Sequence, residues 1–193
     1  MTGTEKRTRE HTLVLLLLIN NLFRRDMEDF LLVRLDTDYC NYLRKFDYRV
    51  PYNFDRKEKR PFVGVLFEVH NCKYFAPLSS PKEKHKNMKS SIDFLKIDDG
   101  KLGAINFNNM LPVTDKNIII IDLNIKNENN ENHYVKLLRQ QLYWLNRHNS
   151  KVYSRSQKLY SKYINNKLNI NIRNRCCDFK LLEEKCKIYN KIK

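Results

Sequence analysis

Between residues 62 and 80 the chain reads Phe62-Val63-Gly64-Val65-Leu66-Phe67-Glu68-Val69-His70-Asn71-Cys72-Lys73-Tyr74-Phe75-Ala76-Pro77-Leu78-Ser79-Ser80. Its β-branched and aromatic residues predict two strands, over 62–69 and 73–78, joined by a turn at Asn71-Cys72. In an antiparallel hairpin, the residue before the first strand and the residue after the second are neighbours. The hairpin therefore brings Arg60 and the pair Ser79-Ser80 to the same end of the predicted sheet.

The segment after the hairpin changes abruptly from apolar to basic. It reads Pro81-Lys82-Glu83-Lys84-His85-Lys86, which predicts a solvent-facing loop that attracts polyanions. Hydroxyls donate to phosphate oxygens and lysines supply positive charge, so Ser79, Ser80 and Lys82 are candidates for a phosphate-handling site. The structural alternative is an ordinary turn with solvated lysines, because Ser, Pro and Lys are common loop residues.

Composition narrows the class of protein. The 193 residues are enough for one domain with a real core, and a hydrophobic content of 41% argues against disorder. The net charge of +15 favours nucleic acid or an anionic membrane surface as partner. Eleven Tyr and ten Phe interleave with the basic residues, a pattern that suits single-stranded RNA or DNA.

No cofactor or metal is predicted. The five cysteines are an odd number and indicate no disulfide framework, so a reducing cytoplasm is the simpler location. The sequence contains neither a Cys-x-x-Cys pair nor a His-Glu-x-x-His motif, and its few glycines form no phosphate-binding loop.

The order of the predicted elements indicates an α+β fold, with an antiparallel sheet first and packed helices later. A strand at 30–35 precedes a helix that Asp36 or Thr37 caps and that ends near Val50-Pro51. Further predicted elements are a hairpin over 92–97 and 102–107, a strand at 118–123, a helix over 134–145 and helices capped by Ser150 and Asp178.

The first 26 residues differ from the rest of the chain. The apolar run at 13–19 is too short to span a bilayer, and acidic Glu5 and Glu10 do not suit a signal peptide. We therefore expect residues 1–26 to be an extension that is not native or not folded, and residues 27–193 to form a single domain that starts at Met27.

Several motifs in this order resemble the ToxN/AbiQ family of endoribonuclease toxins from type III toxin-antitoxin systems. They are Arg60-Pro61-Phe62-Val63-Gly64, residues 73–82, Leu102-Gly103-Ala104-Ile105-Asn106-Phe107, Met110-Leu111-Pro112-Val113, Tyr39-x-x-Tyr42-Leu43, the 137–145 helix and Leu181-Leu182-Glu183-Glu184-Lys185. The resemblance spans nearly everything from Met27 onward. It implies a twisted antiparallel sheet related to the barrel core of the Kid and MazF toxins, flanked by about four helices.

The resemblance also implies an activity: metal-independent cleavage of RNA, often at adenine-rich sites, that leaves a 2',3'-cyclic phosphate and a 5'-hydroxyl. The family's hydroxyl pair corresponds to Ser79 and Ser80, its following lysine to Lys82, and its lysine before the first long strand to Arg60. Two departures are the Ser-Ser pair in place of Thr-Ser, which keeps both hydroxyls, and Arg in place of Lys at position 60, which makes a proton-donor role there less suitable. We assign Ser80 a close hydroxyl role and Ser79 a positioning role, and the general base stays open.

Toxins of this family are held by a repeat RNA antitoxin in an RNA-mediated assembly, with phage defence by abortive infection as the usual setting. The predicted RNA contacts are Tyr39, Tyr74, Lys57, Lys59, Lys84, His85 and Lys86. Two alternatives stay open at this point: a basic RNA-binding protein without catalysis, and a DNA-binding or membrane-surface protein with an N-terminal hydrophobic anchor.

Overall fold

A computed structural model describes residues 30–51, 63–121, 123 and 133–192, without the side chain of residue 192. The expectations for residues 1–26, the loop at 53–60 and the Asn-rich segment at 124–132 lie outside these residues. The 27–193 domain therefore stays a prediction.

The strands form one sheet around the predicted hairpin. They are β1 (Leu32–Leu35), β2 (Val63–Val69), β3 (Cys72–Ser79), β4 (Phe94–Lys96), β5 (Ala104–Asn106), β6 (Leu111–Pro112) and β7 (Ile118–Ile120). Their order is β4-β5-β3-β2-β1-β7, with β6 also paired to β3, and every pair is antiparallel. The path has two ends, β4 and β7, so the sheet that the described residues form is open, and the predicted barrel core is not confirmed.

The β2–β3 hairpin lies at the centre of the sheet. His70 and Asn71 both have positive φ, at 48° and 61°, and form its two-residue turn, one position earlier than predicted. On its outer edge, β3 pairs with β6 at Tyr74 and Phe75 and with β5 at Leu78 and Ser79. Pro77, which has no N–H to donate, falls between these two pairings and is therefore tolerated in a central strand.

The helices of the described residues outnumber the prediction of about four. They are α1 (Thr37–Arg44), α2 (Glu83–Asn87), α3 (His133–Arg147), α4 (Asn149–Ile164), α5 (Ile170–Arg175) and α6 (Phe179–Ile192). Asp36 caps α1 by accepting from the Tyr39 amide at 2.8 Å, as predicted. The helix ends at Arg44 rather than near Val50, because Asp47 turns the chain by accepting from the amide of Arg49 at 2.9 Å.

Helices and sheet bury a shared aromatic core. Phe179 at the start of α6 packs edge-on against Tyr74 of β3 and stacks on Tyr160 of α4. Phe30, just before β1, stacks on Tyr153 of α4, with ring centroids 5.0 Å apart. Each such ring removes a large apolar area from water, so these contacts hold the helices on the sheet. The α+β class is confirmed.

Candidate active site

The candidate site begins where β3 leaves the sheet. Ser79 is the last residue of β3, and its hydroxyl donates to the carbonyl of Ala104 in β5 at 3.3 Å. Ser80 follows as an exposed residue, and Lys82 is exposed at the start of α2. The Ser79 proton is therefore directed to the backbone, whereas Ser80 is accessible to a ligand from solvent.

Two glycines let other segments approach this strand end closely. Gly103 has φ +98°, and a Cβ built on it would lie 1.9 Å from the carbonyl oxygen of Ser79. Gly100 has φ +94°, and a Cβ there would lie 2.9 Å from the backbone of His85 in α2. Only glycine fits both the conformation and the space, so the turn between β4 and β5 supports the serines and α2.

A cleft of about 480 Å³ opens beside Ser79. Four cations line it. Lys82 and Lys84 precede His85 in the chain, Lys89 follows it, and Arg175 is the last residue of α5. The remaining lining residues are Ser79, His85, Met88, Ser91, Asp93, Phe94, Asn106 and Asn108. Cations, hydroxyls and amides around one cleft favour a phosphate-bearing ligand.

A buried ion pair forms part of this cleft. Asp93 is 1% exposed and accepts from Arg175 Nε at 2.5 Å, from Arg175 Nη2 at 2.9 Å and from the Ser91 hydroxyl at 2.6 Å. Burial raises the pKa of Asp93, but the hydrogen bonds from Arg175 and Ser91 outweigh it and hold the pKa below its usual value. The Arg175 side chain is half exposed, so its guanidinium is oriented by Asp93 yet still faces the cleft.

His85 was predicted in a solvent-facing loop, and that prediction is wrong. The segment forms the short helix α2, and His85 is 3% exposed, with its ring edge-on to Phe94. Burial lowers the pKa of His85, and the nearby charges of Lys82 and Lys84 lower it further. Its Nδ1 is buried without a hydrogen-bond partner among the described residues, so the cleft contains a neutral imidazole with an unused polar atom.

The structure contradicts RNA contacts by Tyr39 and Tyr74. Both side chains are fully buried. Tyr39 donates to the carbonyl of Pro112 at 2.6 Å, and Tyr74 donates to Glu183 at 2.6 Å. Neither ring is accessible for a base to stack on, because both tyrosines pack in the core.

The other predicted cations divide into two groups. Lys84 lines the cleft, and Lys86 is exposed and forms an ion pair with Glu83 at 2.9 Å. Lys57, Lys59 and Arg60 lie outside the described residues, so the convergence of Arg60 with the serines stays a prediction.

Sequence reasoning missed Arg175, Lys89, Asn106 and Asn108 as cleft residues. Arg175 lies 95 positions after Ser80 in a run with no recognisable motif, so only the fold brings it to the cleft. Asn106 and Asn108 follow the Leu102-Gly103-Ala104 motif, and their place beside the predicted strand end was the one signal that could have identified them.

In residues 30–51, 63–121, 123 and 133–192, no three His, Cys, Asp or Glu side chains form a group that could hold a metal ion. Within the same ranges, no helix has both the length and the apolar character needed to cross a bilayer.

Comparison with known proteins identifies relatives over most of the chain. A family model described as toxin ToxN of a type III toxin-antitoxin system matches residues 31–187. Endoribonuclease ToxN of Bacillus thuringiensis subsp. kurstaki is 33% identical over 160 residues, which cover 80% of this chain and 81% of the relative. Endoribonuclease AbiQ of Lactococcus lactis subsp. lactis is 33% identical over 164 residues, covering 80% and 86%.

Solved structures of similar proteins also match this chain over most of its length. One, from work on selective toxin inhibition by a non-coding RNA pseudoknot in type III toxin-antitoxin systems, superimposes with a TM-score of 0.68 at 29% identity, covering 84% of this chain and 99% of the other. Another, the lactococcal anti-phage endoribonuclease AbiQ, gives a TM-score of 0.67 at 27% identity, covering 85% and 99%.

Proposed function

Because the chain belongs to the ToxN toxin family of type III toxin-antitoxin systems, we propose that it is an endoribonuclease toxin that a repeat RNA antitoxin neutralises. Its RNA substrate is cellular or phage RNA, and its setting is phage defence by abortive infection. The observation that carries the proposal is the cleft in which Ser79, Lys82 and Arg175 meet at the end of β3.

The proposed reaction is a transesterification within the RNA strand, at adenine-rich sites. A 2'-hydroxyl oxygen attacks the adjacent phosphorus, the bond from phosphorus to the 5'-oxygen breaks, and the products are a 2',3'-cyclic phosphate and a 5'-hydroxyl. The proton leaves the 2'-oxygen and another proton reaches the departing 5'-oxygen, so no metal or external co-reactant is required for the balance.

The residues of the cleft suit the charge that develops during this reaction. The phosphorane carries more negative charge than the starting phosphodiester, and Lys82 and the Asp93-oriented Arg175 supply fixed positive charge beside it. The exposed hydroxyl of Ser80 is suited to direct contact with the phosphate or to proton relay, while Ser79 holds the strand end against β5.

The test is incubation of the purified chain with adenine-rich RNA in excess EDTA, followed by end-group analysis. We expect cyclic-phosphate ends from the wild type and a rate at least about 100-fold lower for Ser80→Ala and for Lys82→Ala. Lys116→Ala, a substitution at an exposed site away from the cleft, is the matched control and should cleave like the wild type.

Three outcomes would count against the proposal. Full cleavage by both the Ser80→Ala and the Lys82→Ala variant removes the site assignment. Cleavage that EDTA abolishes removes the metal-independent mechanism. Intact RNA that the wild type nonetheless binds tightly favours the alternative, a basic RNA-binding protein without catalysis.

A further inference from the structure

A second groove lies between α4 and the segment before β4. It has a volume of about 510 Å³, and five cations line it: Lys151, Arg155, Lys158, Lys162 and Lys167. The first four recur every three or four residues, so they share one face of α4, and Lys167 follows in the connection to α5. Among the twelve lining residues, all in the described part of the chain, there is no carboxylate.

Arg155 differs from the lysines because its guanidinium already makes hydrogen bonds within the protein. It donates to the carbonyl of Ser91 and, at 3.3 Å, to the carbonyl of Phe94, which fastens α4 to the start of β4. The four lysines are exposed on the groove. Bringing several ammonium groups together without an acid is unfavourable, and a polyanion in the groove would relieve this repulsion.

The groove adjoins the candidate active site at one shared residue. Ser91 lines both the groove and the cleft, and its hydroxyl is bonded to Asp93, which orients Arg175 in the cleft. A strand whose scissile phosphate lies in the cleft beside Lys82 can therefore continue past Ser91 into the groove.

The dimensions and chemistry favour single-stranded RNA. Lys151 and Lys162 are eleven residues apart on one helix, which corresponds to about 16 Å. A stacked strand presents a phosphate about every 3.4 Å, so this stripe can face about five phosphates. Ile92, Leu168 and Ile172 add apolar surface for bases or ribose, and Asn169 and Ser154 offer groups for 2'-hydroxyls. A concave groove fits a single strand more closely than it fits a flat bilayer.

We infer that the groove formed by α4, Lys167 and residues 90–92 is a second RNA-binding site, which holds several nucleotides of single-stranded RNA flanking the scissile phosphate. The inference rests on the proposed function for its substrate, but the binding it describes is measurable without cleavage.

The test compares two double substitutions in the Ser80→Ala background. Lys158→Gln with Lys162→Gln removes two groove charges, whereas Lys136→Gln with Lys180→Gln removes two exposed charges from α3 and α6, outside the groove and the cleft. Fluorescence anisotropy in EDTA, between 50 and 300 mM salt, measures binding of labelled adenine-rich RNAs of 4 and 12 nucleotides.

We expect the groove variant to bind the 12-nucleotide RNA about tenfold more weakly than the control variant. Its slope of log affinity against log salt should be shallower by about 1.4, that is, about 0.7 for each phosphate of a single strand that no longer faces a lysine. The loss should be smaller for the 4-nucleotide RNA, which is too short to fill the cleft and the groove together.

Equal losses in the groove and control variants would overturn the inference, since only net charge would then matter. So would a groove variant that binds the 12-nucleotide RNA like its parent while losing affinity for vesicles containing phosphatidylserine. The two proposals fail separately. A wild type that does not cleave, with a groove variant that loses RNA affinity, refutes the chemistry and leaves the groove standing. A wild type that cleaves RNA, together with a groove variant that binds RNA like the control variant, supports the proposed chemistry and refutes the groove as a binding site.

Discussion

His85 is a buried polar side chain in the wall of the candidate cleft. It is buried against Phe94, its Nδ1 has no partner among the described residues, and lysines at 82 and 84 oppose its protonation. An unsatisfied buried polar atom costs stability and therefore calls for an explanation. Because His85 lines the cleft, this cost falls at the wall of the candidate site.

The lowered pKa of His85 has a consequence for stability. The unfolded state binds a proton below about pH 6.5, whereas the folded state binds it only at lower pH. Stability is therefore complete above pH 6.5 and is lost as the pH falls from there through the folded-state pKa. Urea unfolding of His85→Leu should show a smaller loss between pH 7 and pH 5 than the wild type.

The control for this prediction is His133→Gln, which removes an exposed imidazole at the start of α3. It should follow the wild-type pH dependence. A His85→Leu variant with the same slope as the wild type would show that His85 titrates normally in the folded state.

At the scale of elements, the site depends on the contact between two hairpins. The end of β3 carries the serines, and the turn between β4 and β5 supports it through Gly103, whose missing side chain leaves room for the Ser79 carbonyl. The pairing of Leu78 with Ile105 and of Ser79 with Ala104 fixes the register. The position of Ser80 is therefore decided by a turn more than 20 residues later in the chain.

Gly103→Ala should damage both stability and activity. The added Cβ would meet the Ser79 oxygen, and the positive φ is unfavourable for alanine, so we expect a loss of about 2–4 kcal/mol in the free energy of unfolding. RNA cleavage should fall even at temperatures where the variant remains folded, because Ser79 and Ser80 must shift.

Lys101→Ala provides the comparison within the same turn. Lys101 is exposed, and its ion pair with Asp98 at 3.6 Å is also exposed, so the change should stay within about 0.5 kcal/mol. Normal cleavage by folded Gly103→Ala would contradict the role assigned to this turn.

At the scale of the whole molecule, two buried carboxylates fasten the segment between α5 and α6 to the rest of the fold. Asp93 binds Arg175, and Asp47 accepts from the amide of Asp178 at 2.6 Å and from Arg49 Nε at 2.8 Å. Burial raises the pKa of both carboxyls, but their hydrogen bonds outweigh it and lower the pKa overall. The segment that carries Arg175 to the cleft is thus secured electrostatically.

Acid should release this segment. Because the folded-state pKa values are lowered, the stabilisation is present above about pH 4 and is lost as the pH falls through the folded-state values. Asp47→Asn and Asp93→Asn should each lower the free energy of unfolding at pH 7 by about 1–3 kcal/mol, as measured by urea unfolding. Each substitution should also make the decrease of this free energy at acidic pH less steep.

Asp115→Asn, at an exposed carboxylate paired with Lys73, should change the free energy of unfolding little. If the free energy of unfolding of both buried-site variants falls as steeply with acid as that of the wild type, this account is refuted.

Local pattern was enough to predict much of the fold. β-branched and aromatic residues predicted β2 and β3, Asp36 and Asp178 predicted helix starts, and strands followed by helices predicted the α+β class. These features depend on neighbours in the chain, through strand propensity and capping, so sequence alone contains them. The motifs also indicated the family to which the chain belongs.

What the sequence by itself determined is the set of elements, the basic character of the surface and the Ser79-Ser80-Lys82 segment. Only the tertiary structure decided that Tyr39 and Tyr74 are core residues, that His85 is buried, and that Arg175 and the lysines of α4 lie beside the site. Those facts depend on which faces meet between segments far apart in the chain. Burial and charge clustering are properties of packed surfaces, and residue order does not specify them until the chain has folded.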